Sequence, residues 1–266
     1  MGTALYDIYL SWIPKEKILL TNVWSAELSK LASNAMLAQR ISSINSLSAL
    51  SEKTGAEIEE LSKAIGMDHR MGPYFLQPSP GFGGSCFQKD ILNLVYISKH
   101  YGLDEVAEYW HQVIKINDYQ KNRFAIKIIN EFKRDITNKK VTILGWAFKS
   151  NTNDSRESAS IYISKKLLDA GAKLKIYDPM VAKDRIYADI NSISNNVIEE
   201  DNFQVFDNSN QAISDTDIIV ILTEWDEFKK IDWTDIINRS NNKIPIFDGR
   251  NILKNELQDY SKYFSL

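Results

Sequence analysis

Near Asn138 the hydrophobic rhythm of this 266-residue chain changes, and that change limits the folds open to it. Before it, apolar residues recur every three or four positions. After it come short continuous apolar runs: Lys140-Val-Thr-Ile-Leu-Gly145, Lys173-Leu-Lys-Ile-Tyr177, a weaker run at 203–206, Asp217-Ile-Ile-Val-Ile-Leu222 and Ile244-Pro-Ile-Phe247. Helical segments fall between them at 158–170, stopped by Gly171, and around 233–237. Continuous apolar strands alternating with helices predict an α/β unit, a doubly wound parallel sheet covered on both faces. Ligands of such sheets bind beyond the carboxyl ends of the strands, where Gly145, Asp178, Thr223 and Asp248-Gly249-Arg250 lie. Asn-rich stretches at 191–196 and 208–210 read as loops.

The part before Asn138 reads as all helix. Leu28, Leu31, Ala35, Ala38, Ile41, Ile44, Leu47 and Leu50 keep helical spacing over 24–52, without Gly or Pro, until Gly55. A short helix follows over 56–65, with Gly66 as its stop. Residues 66–85 form a Gly- and Pro-rich loop, long enough to suggest a binding loop. One helix then runs to about 101 and another over 104–133. Thirty residues make a helix of about 45 Å, a length suited to joining domains or packing on a second subunit. Within 1–22, Ile18-Leu19-Leu20 is a strand candidate with nothing nearby to pair with. This segment reads as the remnant of a unit that is otherwise absent.

The net charge is −3, so there is no basic excess and neither nucleic acid nor an anionic membrane is indicated as a partner. One cysteine cannot form an internal disulfide, which fits a reducing, cytoplasmic setting. No apolar run reaches membrane-spanning length, and the first residues lack the charge pattern of a signal peptide. His69, His100 and His111 have no partners at metal-ligand spacing, so no metal site is expected.

That single cysteine sits in Pro80-Gly-Phe-Gly-Gly-Ser-Cys86-Phe-Gln-Lys-Asp90. The glycines let a ligand approach the backbone closely. Ser85 through Gln88 fits a capping box, with Ser85 as the cap and Cys86 as the first helical residue. A thiol there faces the positive end of the helix, which favours thiolate, and Asp90 follows one turn on. Those are the parts of a covalent-catalysis site. Equally, a lone cysteine can be a small buried apolar residue.

Two further groups stand out. In Glu27-Leu-Ser-Lys30-Leu-Ala-Ser-Asn34, Lys30 and Asn34 share a helix face; they fit oxyanion stabilisation and water positioning, or simply a lysine lying along the edge of a core. In Gly145-Trp-Ala-Phe148-Lys149 and on to Asn151, Asn153, Asp154 and Arg156, a strand leads into a helix start, a phosphate-binding location. Only one glycine is present, so the run is not the dinucleotide fingerprint G-x-G-x-x-G. Lys149 and Arg156 read either as phosphate ligands or as surface cations.

In this order, Glu27 to Asn34, Gly81 to Asp90, Gly145 to Arg156 and Phe247-Asp-Gly-Arg250 together resemble the UDP-glucose 6-dehydrogenase family, in particular its animal-type members, from about residue 13 to the end. The resemblance implies a central helical, dimerisation-type domain over 23–135 and a UDP-sugar-binding α/β domain over 136–266. It also implies that the family's N-terminal NAD-binding domain is missing from this sequence, with residues 1–22 as its tail. It implies oxidation of UDP-glucose to UDP-glucuronate with NAD as cofactor, through a thiohemiacetal and a thioester on Cys86. Lys30, Asn34 and Asp90 would share the catalysis. By the same resemblance Lys30, Asn34, Arg70, Phe75, Gln77, Phe82, Gly83, Phe148, Lys149 and Arg250 would meet the sugar nucleotide, with Arg70 reaching that of an adjacent subunit. Gln77 stands where animal members carry a lysine. Cys86, Phe87, Gln88, Lys89 and Arg156 would lie near NAD. The implied partners are UDP-glucose, a second copy of the chain through the central helices, and a separate NAD-binding chain. The competing reading is a truncated module that binds UDP-sugars or dimerises without turning over.

Overall fold

The computed structural model describes residues 2–194, 198–199, 201–241 and 243–266. The chain opens with helix α1 (Gly2–Leu10), then a 3-10 turn at Lys15–Lys17. Residues 18–20 form no strand, for want of a neighbour to bond with, and α1 was not anticipated from the sequence. Four helices follow: α2 (Val23–Thr54), α3 (Ile58–Met67), α4 (Phe87–His100) and α5 (Asp104–Glu131). Asn22 caps α2 by accepting the Ser25 N–H, and Gly55 ends it at φ 76. Gly66 does not stop α3. It lies inside the last turn, where a Cβ would come within 3.0 Å of Pro73 Cα, so its smallness serves packing.

The second half is a six-stranded sheet with interleaved helices: β1 (Lys140–Leu144), α6 (Ala159–Asp169), β2 (Lys173–Tyr177), α7 (Lys183–Ile193), β3 (Phe203–Val205), α8 (Ser209–Ile213), β4 (Ile218–Ile221), α9 (Asp226–Lys229), α10 (Trp233–Arg239), β5 (Ile246–Asp248), α11 (Lys254–Leu257) and β6 (Tyr263–Ser265). All pairings are parallel, in the order β3-β2-β1-β4-β5-β6. The order reverses between β1 and β4, the switch point beyond which such sheets bind ligands. Asn191 belongs to α7 and Asn208 caps α8 through the Gln211 N–H, so these are not the loops expected there. Asn195 and Asn196 lie outside the described residues.

Two apolar cores result. Ala35, Ala38, Ile91, Leu94, Ala107 and Val113 join α2, α4 and the first half of α5. Phe124, Ala125 and Ile128, from the second half of α5, belong to the sheet core with Val141, Ile143, Ile219 and Phe247. The length of α5 thus carries it from one core into the other. Among the described residues no helix is long and apolar enough to cross a membrane.

Candidate active site

The loop between α3 and α4 leaves the helical half and lies on the carboxyl edge of the sheet. Pro80 packs on Gly249, where a Cβ would meet Pro80 Cγ at 2.5 Å. Gly83 packs on the β1–α6 connection: a Cβ there would stand 2.6 Å from the Glu157 carbonyl oxygen and 2.9 Å from Phe148 Cβ. The Gly84 N–H donates to the Arg156 carbonyl at 2.7 Å. Three buried amides hold this loop from behind. Asn117 of α5 accepts the Phe82 N–H at 2.8 Å and donates to the Phe82 carbonyl at 3.1 Å. Gln120 donates to the Ser79 carbonyl, and Asn45 of α2 accepts the Ser79 N–H. Each satisfies backbone groups that a buried loop would otherwise leave unpaired. None of the three was singled out from sequence; the usable signal was polar residues at core-facing positions of long helices.

The turn into α4 differs from the expected capping box. Residues 84–86 are used in the turn that brings Gly84, at φ 85, against Phe148 and Arg156. The cap position therefore falls on Cys86, with φ −95 and no side-chain cap bond, and the helix begins at Phe87. Ser85 Oγ instead lies 3.7 Å from Cys86 Sγ. The thiol is exposed, which removes the reading of Cys86 as a core residue. The Cys86 carbonyl accepts the Asp90 N–H at 2.9 Å.

Asp90 joins the two long helices. It is 1% exposed, yet its Oδ2 accepts Lys30 Nζ at 2.5 Å and Asn34 Nδ2 at 2.6 Å, both from α2. Burial pushes the Asp90 carboxyl up, but the two donors outweigh it and hold the carboxyl below its ordinary value. Lys30 is held above its ordinary value, first by the hydrogen bond to Asp90 and, against some desolvation, by the charges of Asp90 and Cys86. Its side chain remains 60% exposed even though the ammonium is bonded to the buried carboxylate.

Around the sheet edge the remaining candidates divide. Arg250 is half-buried and fixed: Nε donates to the Leu222 carbonyl at 2.8 Å, Nη2 donates to the Phe148 carbonyl at 3.1 Å, and Glu224 lies 3.2 Å from Nε. Glu224 also accepts the Ser150 N–H, so it joins Arg250 to the β1–α6 connection, a part that sequence reasoning missed. Lys149 is exposed, its ammonium 5.5 Å from the centre of the Phe148 ring. Phe82 meets the Phe87 ring edge-on at 5.7 Å. Gln88 is half-buried and Lys89 exposed on the first turn of α4. Arg156 is tied to Asp154 and pulled up first by that bond, and more weakly by Cys86. Arg70, Phe75 and Gln77 are exposed: Arg70 bonds to Asp68, and Phe75 holds a left-handed φ of 60. Asp178 and Asp248, at strand ends, are framework residues. Asp178 accepts the N–H groups of Trp146, Ala147, Met180 and Val181 and the Trp225 indole; Asp248 accepts those of Arg250 and Leu253 and the Tyr263 hydroxyl. A concavity of about 840 Å³ lies elsewhere, lined by Asp215, Glu227, Asp232 and Arg239, so the chemistry rather than cavity size marks the site.

Comparison with known proteins agrees with this geometry. The sequence model of the UDP-glucose/GDP-mannose dehydrogenase family, central domain, matches residues 24–119, and that of the family's UDP binding domain matches residues 142–255. The chain belongs to the UDP-glucose/GDP-mannose dehydrogenase family. It is 54% identical over 263 residues to UDP-glucose 6-dehydrogenase of Gallus gallus, covering 96% of this chain and 53% of that protein. It is 51% identical over 263 residues to UDP-glucose 6-dehydrogenase 3 of Arabidopsis thaliana, covering 94% and 54%. Among solved structures, a UDP-glucose dehydrogenase from Pyrobaculum islandicum superposes with a TM-score of 0.81 at 26% identity, covering 98% of this chain and 55% of that one. The chain thus spans about half the length of the curated relatives it matches.

The family is one of NAD-dependent oxidoreductases, so the fit of NAD to these residues matters. The sheet has a dinucleotide-binding strand order, but the turn at Gly145 leaves no room against its backbone for the pyrophosphate of a dinucleotide. A Cβ at Gly145 would stand 2.4 Å from Thr223 Cβ, so that space is filled from β4, and the first residues of α6 are buried. Arg156 and Lys89, by contrast, are exposed cations that suit contact with a dinucleotide.

Proposed function

We propose that this chain is the substrate-binding and thiol-bearing portion of a UDP-glucose 6-dehydrogenase. The observation that carries the reading is the convergence of Lys30 and Asn34 on buried Asp90, one helical turn from the exposed thiol of Cys86. In the proposed reaction the C6 alcohol of UDP-glucose is oxidised to the aldehyde. The Cys86 thiolate then adds to the aldehyde carbon, and the new alkoxide is met by the Lys30 ammonium. Oxidation of that thiohemiacetal gives a thioester. Water attacks its carbonyl, the C–S bond breaks, and UDP-glucuronate leaves with the thiolate restored. NAD⁺, when bound, takes up the two hydrides. The lowered basicity of Asp90 supports a role in orienting Lys30, Asn34 and water rather than in abstracting the proton itself. Arg250 and Lys149 supply positive charge for the diphosphate, with Arg250 already oriented by its two carbonyl partners. Phe75, Gln77, Phe82, Gly83 and Phe148 line the sugar-nucleotide side. Arg70, exposed and paired with Asp68, would exchange that carboxylate for a neighbouring subunit's site. Phe87, Gln88, Lys89 and Arg156 border NAD.

The experiment adds UDP-glucose and NAD⁺ to the chain, alone and with the N-terminal half of a relative supplied as a separate chain, and follows NADH absorbance. We expect UDP-glucose binding by the chain alone and turnover on complementation. Cys86→Ser should keep the binding and lose the turnover. Binding that never leads to turnover under either condition would favour a UDP-sugar-binding module; absence of UDP-glucose binding would overturn the proposed function and leave only a dimerisation module.

A further inference from the structure

The buried face of α5 carries a lysine for which the chemistry above has no use. Lys121 is 3% exposed, and burial lowers its basicity against the pull of Asp118 and Glu157. Its ammonium lies 4.1 Å from the centre of the Tyr162 ring on α6 and 3.4 Å from Asp118, whose carboxylate is largely in solvent. Its methylenes press on the loop: a Cβ at Gly81, where φ is +139, would stand 3.1 Å from Lys121 Cγ. Tyr162 in turn donates its hydroxyl to Glu157 at 2.6 Å. Glu157 holds a left-handed φ of 55, and its carbonyl abuts Gly83. Its chain neighbour Arg156 accepts the Gly84 N–H. Lys121 therefore touches the loop that leads into Cys86 directly, and the turn that carries Arg156 through Tyr162 and Glu157.

As a filler, this lysine is a poor choice. Burying an ammonium against one solvated carboxylate costs free energy that an apolar chain of similar length would not, and the ring contact offsets only part of it. What the charge adds is direction: it fixes the Tyr162 ring over the ammonium and, through the hydroxyl, the Glu157 carboxylate. We propose that Lys121 is a positioning residue, its methylenes held against Gly81 and its ammonium over the Tyr162 ring so as to set the spacing of the loop that presents Cys86 and the turn that presents Arg156. This rests on the reading of Cys86 and Arg156 as site residues.

The test uses the full chain with Lys121→Met, Lys121→Arg and Tyr162→Phe. Melting temperature reports stability. The iodoacetamide alkylation rate at fixed pH reports the surroundings of Cys86 alone, since the chain has no other cysteine. UDP affinity by calorimetry reports the sugar-nucleotide side. Lys121→Met should melt at or above the parent temperature while its alkylation rate changes about three- to tenfold, because small displacements at a reactive group have large kinetic effects. Lys121→Arg should return the rate most of the way, and Tyr162→Phe should move it in the same direction as Lys121→Met. A parental rate in Lys121→Met, or equal change in the Met and Arg variants, overturns the proposal. If Lys121→Met fails to fold, Tyr162→Phe decides alone, and a parental rate there overturns it too. Failure of the parent chain to bind UDP would count against the proposed function while leaving the alkylation comparison intact, so the two failures are distinguishable.

Discussion

At the scale of single residues, the Asp90 cluster is where structure adds most to the chemistry. Lys30 and Asn34 share a face of α2 and Asp90 lies one turn beyond Cys86; both facts were legible from spacing. Their meeting across two helices was not, because no local pattern tells which helices pack together. The meeting has a pH signature. The Asp90 carboxyl is held below its ordinary value, so its contribution to stability is fully present above the unfolded value of about 3.9 and is lost as pH falls through the folded one. Lys30 is held above its ordinary value, so its contribution is present below about 10.4 and lost as pH rises through the folded one. Asp90→Asn should therefore melt a few degrees below the parent near pH 7. The gap should narrow as pH falls below about 3.9 and close once pH has passed through the lowered folded value, where the parent carboxylate is itself protonated. Because Lys30 is largely in solvent, added salt should narrow the gap at pH 7. A melting difference that stays constant from pH 7 to pH 3 would remove the ion-pair account.

At the scale of elements, the glycines after the strands explain what could and could not be read. The strands β1, β4 and β5 were legible because each is a largely apolar run with a turn signal beyond it, and β2 because its alternating Leu174 and Ile176 lead through Tyr177 into Asp178-Pro179. β6 was missed because Tyr263-Phe-Ser265 is short, half-buried and at the sheet edge. α7 was missed because its buried residues are few, Ile186, Asp189 and Ile190, and one of them is acidic. Asp189 tolerates burial by accepting the Trp146 indole N–H and the Ser155 hydroxyl, a tertiary arrangement invisible in a periodic pattern. The capping box at Ser85 misled because the tertiary contact of Gly84 claimed the turn. Gly145 shows the same dominance of contact over local rule. Its φ of 99 suits glycine, and any Cβ would also lie 2.7 Å from the Thr223 backbone nitrogen. Gly145→Ala should destabilise the sheet domain by about 2–5 kcal/mol in urea unfolding, from overpacking and left-handed strain together. Thr223→Ala in the same chain should recover only part, since the backbone contact stays. Complete recovery would locate the whole cost in the Thr223 side chain.

At the scale of the whole molecule, the two cores are well filled but the outer face of the helical half is not. Leu19 is 85% exposed and Trp24 80%, and Trp12, Leu20, Val23 and Leu28 are also open to solvent. Trp24 and Leu28 lie four residues apart on α2 and so share a face, and Met36 continues the exposed apolar run along the same helix. Single exposed apolar residues are ordinary, but several large ones gathered at the start of one helix and on the segment leading into it mark a candidate contact surface. The helix that presents them is α2, not α5, the helix whose length suited it to packing on a second subunit. Sedimentation velocity over a range of concentrations should show the chain associating with itself. Trp24→Ser combined with Leu28→Ser should shift that equilibrium toward monomer with little change in melting temperature, since neither side chain belongs to either core. UDP binding should survive the double substitution, because the strand-end residues of the sheet lie in the other half of the chain. A double variant that associates like the parent would place the contact on another face, with the exposed Val106 and Tyr109 of α5 as the next pair to replace.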